Sequence, residues 1–316
     1  MREADGNISP GLSDKYVSLG GAKNPETIFL TGYVLRYSPH NMLLRRLLLE
    51  DRATVEVILV GHTEPVGWFH FSHSYVRRNW RKESVAAPSL LCKSCHNIDF
   101  ILWLLCYRTD CGEPTHMPSL VTSAGNLSLF TKATIESKQW YARCVWESDN
   151  DFLDDQIVTL PWDDDSRAVG GEEFPDRGPK TAIFHMAAFT EAQSKRRGKI
   201  SGTHGEIQYD SNEIRVYILD NFCEPEAVKV FTPPKAAGGH GGGDGGLMNS
   251  FSQAVEAVIN GKLSVEQAQA KYVGCTLKEA FMSHAMVFAA EEAQLGRKIV
   301  DWQDWWARLE ERLLAQ

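Results

Sequence analysis

The chain has 316 residues, 43% hydrophobic and 23% charged, which excludes a wholly disordered or fibrous protein and is enough to bury a core in one large domain or two small ones. A net charge of -8 excludes the broad cationic surface that binding to phosphate backbones demands, and no apolar run reaches the length of a membrane span, so neither a nucleic-acid nor a membrane partner is expected. Seven cysteines behind the polar start Met1-Arg2-Glu3-Ala4-Asp5-Gly6 fit reduced thiols in a cytoplasmic protein better than a disulfide framework.

In chain order, residues 1–26 are rich in Gly, Ser, Asn and Asp without periodicity and are expected to form a loose leader. Thr27 to Leu35 reads as a buried strand, and Arg36-Tyr37-Ser38-Pro39 turns into a helix over Asn41 to Leu49, which places Arg36 where it can face a cleft. The β-branched run Val55 to His62 is a strand leading into the aromatic, histidine-bearing segment Trp68 to Tyr75. The loop that follows carries Arg78 and Trp80, which could hold a polar ligand or form an exposed cationic loop. Further strands are expected at Leu120 to Phe130, Cys144 to Trp146, Asp154 to Leu160, Lys180 to Phe189, Lys199 to Ser201, Gly205 to Tyr209, Ile214 to Tyr217 and Val228 to Phe231. The acidic run Glu147 to Asp151 reads as a turn, since the spacing of a calcium loop is missing, and Lys195 to Lys199 as a solvated turn between strands. Helices close the chain at Ser264 to Ala270, Thr276 to Leu295 and Asp301 to Leu314, with Thr276/Glu279 and Asp301/Asp304 at their starts. These elements make an α+β chain with a largely antiparallel sheet the natural architecture.

Two stretches carry chemistry. Ser89 to Asp99 reads as the first turns of a buried helix, where Lys93 and His96, three apart, and Cys92, four before His96, share one face. Lys93 and His96 are the candidate proton-handling pair. The letters Cys-x-x-Cys-His also spell a c-type haem attachment or half of a zinc site, but the missing signal region and the apolar run before Cys106 and Cys111 argue against both, and no metal is expected. A hydrogen-bonded core histidine in an ordinary helix is the plainer alternative. The second stretch, Gly238 to Gly246, contains His240 and Asp244 and opens a helix over Leu247 to Asn260. Bare backbone there could approach a phosphate or a sugar, although a flexible linker has the same composition.

The motifs Val34-Leu35-Arg36-Tyr37-Ser38-Pro39-His40-Asn41, His62-Thr63-Glu64-Pro65-Val66-Gly67-Trp68, Val76 to Arg81, Lys93 to Asp99, Trp146 to Asp155, Phe184 to Glu191, Gly202 to Glu206 and Gly238 to Asp244 occur in one order along the chain. With them the chain resembles the Gfo/Idh/MocA oxidoreductases, the group of glucose-fructose oxidoreductase and inositol dehydrogenase, and in particular their fungal branch. The resemblance implies hydride transfer between a sugar or polyol and NAD or NADP, with His96 at the position of the family histidine; on the reading that follows, Lys93 joins His96 as a proton-handling group and Arg36, Arg78, Trp80, His240 and Asp244 lie around the substrate. It also implies that the large, mostly antiparallel sheet is open, with helices packed on one face, and that a homodimer forms through the open sheet. The departures are specific: Cys92 stands where many relatives carry an acid, no Gly-x-Gly-x-x-Gly follows a strand, and the Glu-Lys-Pro motif is absent. Residues 27–40 are therefore expected to be the last strand and hinge of a nucleotide-binding domain that is otherwise missing, and residues 41–316 the substrate and dimerisation domain. The segment Thr131 to Gln139 is shorter than the branch's insert, which fits a reduced gene product. A truncated oxidoreductase inactive alone, a non-catalytic sugar-binding or dimerisation scaffold, and an NAD-dependent glycosidase are the functions open at this point.

Overall fold

In the computed structural model, residues 27–77, 80–107, 116–130, 148–166, 177–219, 226–234 and 238–315 are described. Period-two alternation builds nine strands: β1 (Val57–Pro65), β2 (Leu120–Asn126), β3 (Asp155–Trp162), β4 (Lys180–Ala187), β5 (Arg197–Gly202), β6 (Gly205–Tyr209), β7 (Ile214–Ile218), β8 (Glu226–Phe231) and the two-residue β9 (Val300–Asp301). They form one sheet in the order β8-β7-β6-β5-β1-β4-β3-β2-β9. Among the described pairings only β1 with β4 is parallel, so the expected mostly antiparallel sheet is present.

One face of the sheet is covered and the other is open. Val158, Phe184 and Val60 point into the core, while their neighbours Ile157, Ile183 and Leu59 are exposed on the far side. The covering layer is led by α3 (Cys95–Leu105), entered through a π-helical turn at Leu90–Ser94, and by α6 (Leu277–Gly296). In α3 Ile98, Phe100, Ile101 and Leu102 are all fully buried, because the helix is apolar on every side after its first turn. Each such side chain contributes about 2 kcal/mol by leaving water. The start of α6 is fixed by the expected Thr276/Glu279 capping box, and Asp301 caps α7 (Trp302–Leu314), in which the buried Trp302 packs on Trp305 and Trp306, and Trp306 meets Phe281 of α6 edge-on. The remaining helices are α1 (Pro39–Leu49), the single turn α2 (Trp68–Phe71), α4 (Gly243–Ile259) and α5 (Val265–Ala268).

The expected strand at Thr27 to Leu35 is not a strand. This segment joins no sheet: it runs extended and then winds one 3-10 turn at Val34–Tyr37. Its backbone is satisfied by a side chain instead, with Phe29 N–H donating to Gln269 Oε1 at 2.9 Å and Gln269 Nε2 donating to Phe29 O at 2.8 Å. A remnant nucleotide-domain strand is thereby overturned as part of the fold. The segment is anchored by Arg36, whose Nε and Nη2 form a fork on Asp99 of α3 (2.9 and 2.7 Å) and whose Nη1 reaches Glu279 of α6 at 2.6 Å. Ser283 of α6 donates to the same Asp99 at 2.8 Å. The leader at residues 1–26 and the strand expected at Cys144 to Trp146 lie outside the described residues.

The glycine run has a packing role. A Cβ on Gly243 would collide with the carbonyl oxygen of Val34, and one on Gly246 with that of Tyr37, so these glycines, three apart on one face of α4, let its backbone rest on the Val34–Tyr37 turn. Gly246→Ala is accordingly expected to cost about 2 kcal/mol in chemical denaturation, a strain too large for a buried backbone contact to relax. Met248→Ala, on the exposed side of the same helix, is expected to stay within about 0.5 kcal/mol of the parent protein.

Candidate functional site

The inward face of β1 carries two polar side chains among apolar ones, His62 and Glu64, both essentially without exposure. Two residues apart on a strand, they face the first turns of α3 together. Asn97 of α3 bridges them: its Nδ2 donates to Glu64 Oε2 at 2.5 Å, and its Oδ1 lies 2.9 Å from His62 Nε2. A carboxylate only accepts, so the Asn97 amide is oriented, His62 Nε2 must carry the proton, and His62 Nδ1 accepts from the Tyr209 hydroxyl at 2.8 Å. Burial pushes the His62 imidazole down to about 4, in agreement with this neutral tautomer. Gly198 is required beneath, since a Cβ there would collide with the Tyr209 hydroxyl and Gly61 O.

Glu64 gathers the cations. Arg196, just before β5, donates from Nη2 to Glu64 Oε1 at 2.6 Å and from Nε to Asn97 Oδ1 at 3.0 Å, while Lys93 Nζ lies 3.3 Å from Glu64 Oε1 and Ser94 donates to Oε2 at 3.3 Å. Burial opposes the charge of Glu64, but Arg196 and Lys93 outweigh it and hold the carboxyl at about 2. His96 stands one step further along α3, its ring edge-on to Tyr33 at 6.3 Å between centroids and 5.9 Å from the ring of His240. Burial, and then the Arg196 cation, push the His96 imidazole down to about 4, so it is uncharged in neutral solution. Its Nδ1 is buried and has no hydrogen-bond partner among the described residues.

Beside this cluster opens a pocket of about 540 Å³, a volume suited to a small ligand, with His62, Phe100, Arg196, Tyr209 and His240 among its walls. Of the residues marked in the sequence, His96 and His240 come together and His240 stands on the pocket wall, with Asp244 2.9 Å from its Nδ1, while Lys93 is held by Glu64 behind the wall residue Arg196. Arg36 does not join them. It is engaged in the buried clamp on Asp99 and Glu279 and is 4% exposed. Trp80 is half exposed and touches the Tyr75 ring, and Arg78 lies outside the described residues. Cys92 donates to Ala87 O, and burial pushes its thiol up to about 11, so it supplies no negative charge to His96.

Five members of the site were not singled out from the sequence: His62, Glu64, Asn97, Arg196 and Tyr209. The signal for Glu64 was present, an acid in phase with the inward residues of an apolar strand and two after a histidine. Arg196 was hidden in a basic run that reads as solvated. Among the described residues no group of three or more His, Cys, Asp or Glu side chains is arranged to hold a metal ion, and no helix is long and apolar enough to cross a membrane. Nor do these residues fit a dinucleotide cradle: the space that Gly243 and Gly246 leave is filled by the protein's own backbone, and the parallel pair β1/β4 is not joined by a glycine turn into a helix.

The balance of charge at Glu64 can be tested. Glu64→Gln leaves Lys93 and Arg196 without their counter-charge and is expected to lose about 3 to 5 kcal/mol of stability at pH 7 in urea denaturation. Because the carboxyl titrates near 2 in the folded protein and at 4.5 ordinarily, its stabilisation is present above about 4.5 and is lost as the pH falls towards 2. The variant should show a correspondingly flatter stability profile across that window.

No protein-family profile and no curated protein matches this sequence. Solved structures do. A levoglucosan dehydrogenase in complex with NADH and L-sorbose is similar at 15% identity and a TM-score of 0.59, over 92% of this chain and 70% of that one. An oxidoreductase from Agrobacterium radiobacter, in complex with NAD+, L-tartaric acid and magnesium, is similar at 14% identity and 0.56, over 92% and 69%. A super-repressor mutant of Gal80p from Saccharomyces cerevisiae is similar at 12% identity and 0.61, again over 92% and 69%. At these identities the likeness is one of fold: the chain has the fold of Gfo/Idh/MocA-type structures and spans about 70% of their length.

Proposed function

We propose that this chain is the substrate-binding half of a sugar or polyol oxidoreductase of Gfo/Idh/MocA type. The observation that carries the proposal is the meeting of a buried, neutral His96 with His240 and the Lys93–Glu64 pair beside a pocket of about 540 Å³. A neutral imidazole can accept a proton from a substrate hydroxyl through Nε2, which makes no hydrogen bond among the described residues and is not sealed as Nδ1 is, and Lys93, fixed by Glu64, adds positive charge behind the pocket wall at Arg196. Support also comes from the fold, which the NADH-bound levoglucosan dehydrogenase shares. Hydride chemistry would need a nicotinamide that the described residues are not shaped to cradle, so the assignment stops at binding the polyol and accepting its proton.

The same fold in a Gal80p super-repressor mutant favours keeping a second function, a non-catalytic sugar-binding or scaffold protein. Titration with NADH and NADPH, followed by nicotinamide fluorescence, separates them from a complete dehydrogenase. No saturable binding up to millimolar cofactor is expected, together with polyol binding that His96→Ala weakens. Micromolar cofactor affinity would show a self-sufficient oxidoreductase and overturn the half-enzyme proposal.

The uncovered face of the sheet, with Leu59, Ile157 and Ile183 exposed, is assigned to the pairing of two copies, since a bare apolar sheet face is costly in water. Sedimentation should give a dimer, and Ile183→Asp should shift it to monomer without unfolding it. A monomeric parent protein at micromolar concentration would refute the pairing.

A further inference from the structure

Arg196 lines the pocket, and directly behind it two cations share one buried carboxylate. Arg196 and Lys93 both pair with Glu64, their side chains are only 12% and 11% exposed, and neither has another carboxylate in ion-pair range among the described residues. One positive charge is left uncompensated in a place where charge is expensive to hold. Arg196 is held rigidly: Nε is fixed on Asn97 and Nη2 on Glu64, whereas Nη1 has no partner among the described residues and is not sealed from solvent. Lys195, the exposed residue next to it, lines the same pocket and makes no ion pair among the described residues. Asp210, the acid on the pocket wall, is held by the backbone N–H groups of Asn212 (2.7 Å) and Glu213 (3.1 Å) and forms no ion pair with Arg196 or Lys195 among the described residues. Asp244 is engaged by His240.

We infer that the pocket takes a polyhydroxylated ligand bearing an acidic group, a sugar acid or a sugar phosphate, with Arg196 receiving the anion and Lys195 closing over it. This specifies the ligand class of the sugar-binding half proposed above and rests on that assignment. A guanidinium already locked in place by two partners loses little freedom on binding an anion, and its planar edge suits both carboxylate and phosphate oxygens. The rest of the pocket offers groups for hydroxyls: Ser38, Tyr209 and His40, whose Nε2 is buried without a partner among the described residues. A neutral sugar would meet these groups but leave the extra cation unanswered.

Calorimetric titration at low salt with D-gluconate, D-glucuronate, D-glucose 6-phosphate, D-glucose, D-sorbitol and inorganic phosphate tests the inference, and the ranking of the first three separates carboxylate from phosphate. At least one acidic sugar should bind ten or more times tighter than glucose or sorbitol. Lys195→Ala, a substitution on an exposed side chain, should weaken the acidic ligands about tenfold and leave the neutral ones unchanged. Neutral polyols binding as tightly as their acids would overturn the acidic-ligand inference while leaving the sugar-binding half in place. Inorganic phosphate binding as tightly as the best sugar would reduce the site to a bare anion site and overturn it too. If no sugar or acid binds at millimolar concentration, both the inference and the sugar-binding assignment fall.

Discussion

A carboxylate with no exposure to water, Glu64, is the point on which the rest of the site depends. Taking it out of water is tolerated only because four groups from three parts of the chain arrive together: Lys93 and Ser94 from the π-helical turn, Asn97 from α3, and Arg196 from the approach to β5. The cost of missing any one of them makes the arrangement selective. A slip of β1 by one residue would carry Glu64 and His62 to the open face, strand Arg196 and Lys93, and turn Thr63 towards the core. The ion cluster therefore acts on the fold as a register pin, and the apolar packing around it supplies the stability.

A second lock fixes what the first leaves free. The fork of Arg36 on Asp99, extended to Glu279, holds the Val34–Tyr37 turn against α3 and α6 at once. That turn is the seat of α4, which sits on it through two bare glycine faces. Because His240 opens the 3-10 turn (His240–Gly242) that leads straight into α4, the position of His240 opposite His96 follows from a chain of contacts that starts at Arg36. Arg36 thus shapes the pocket without entering it, which is a positioning role in place of the substrate contact expected of it.

The legibility of this molecule in its sequence tracks how local the cause of each feature is. Strands β3 to β7 were readable because alternation is set within five to eight residues, and the starts of α6 and α7 because a cap and its partner are three residues apart. Thr27 to Leu35 was misread because an apolar run fits a buried strand and a buried extended segment equally well. What decides between them is the side chain of Gln269, 240 positions away. His96, Lys93 and His240 were visible as reactive types on one helix or in one glycine run. Arg196 was not, since a basic pentapeptide looks solvated until the acid that claims one member is found on another strand.

Fold likeness alone leaves the activity open, because a sugar dehydrogenase and a super-repressor mutant of Gal80p share this architecture. The chemistry of the site narrows it. Two imidazoles, His62 and His96, are kept neutral by burial next to a region of surplus positive charge, the opposite of what a protein designed only to be stable would assemble. A purely structural core would more cheaply replace Glu64, Lys93 and Arg196 with apolar side chains of similar volume. Retaining them beside an open pocket makes sense if the surplus charge is balanced by something that enters, and if a neutral proton acceptor is needed at the same spot when it does.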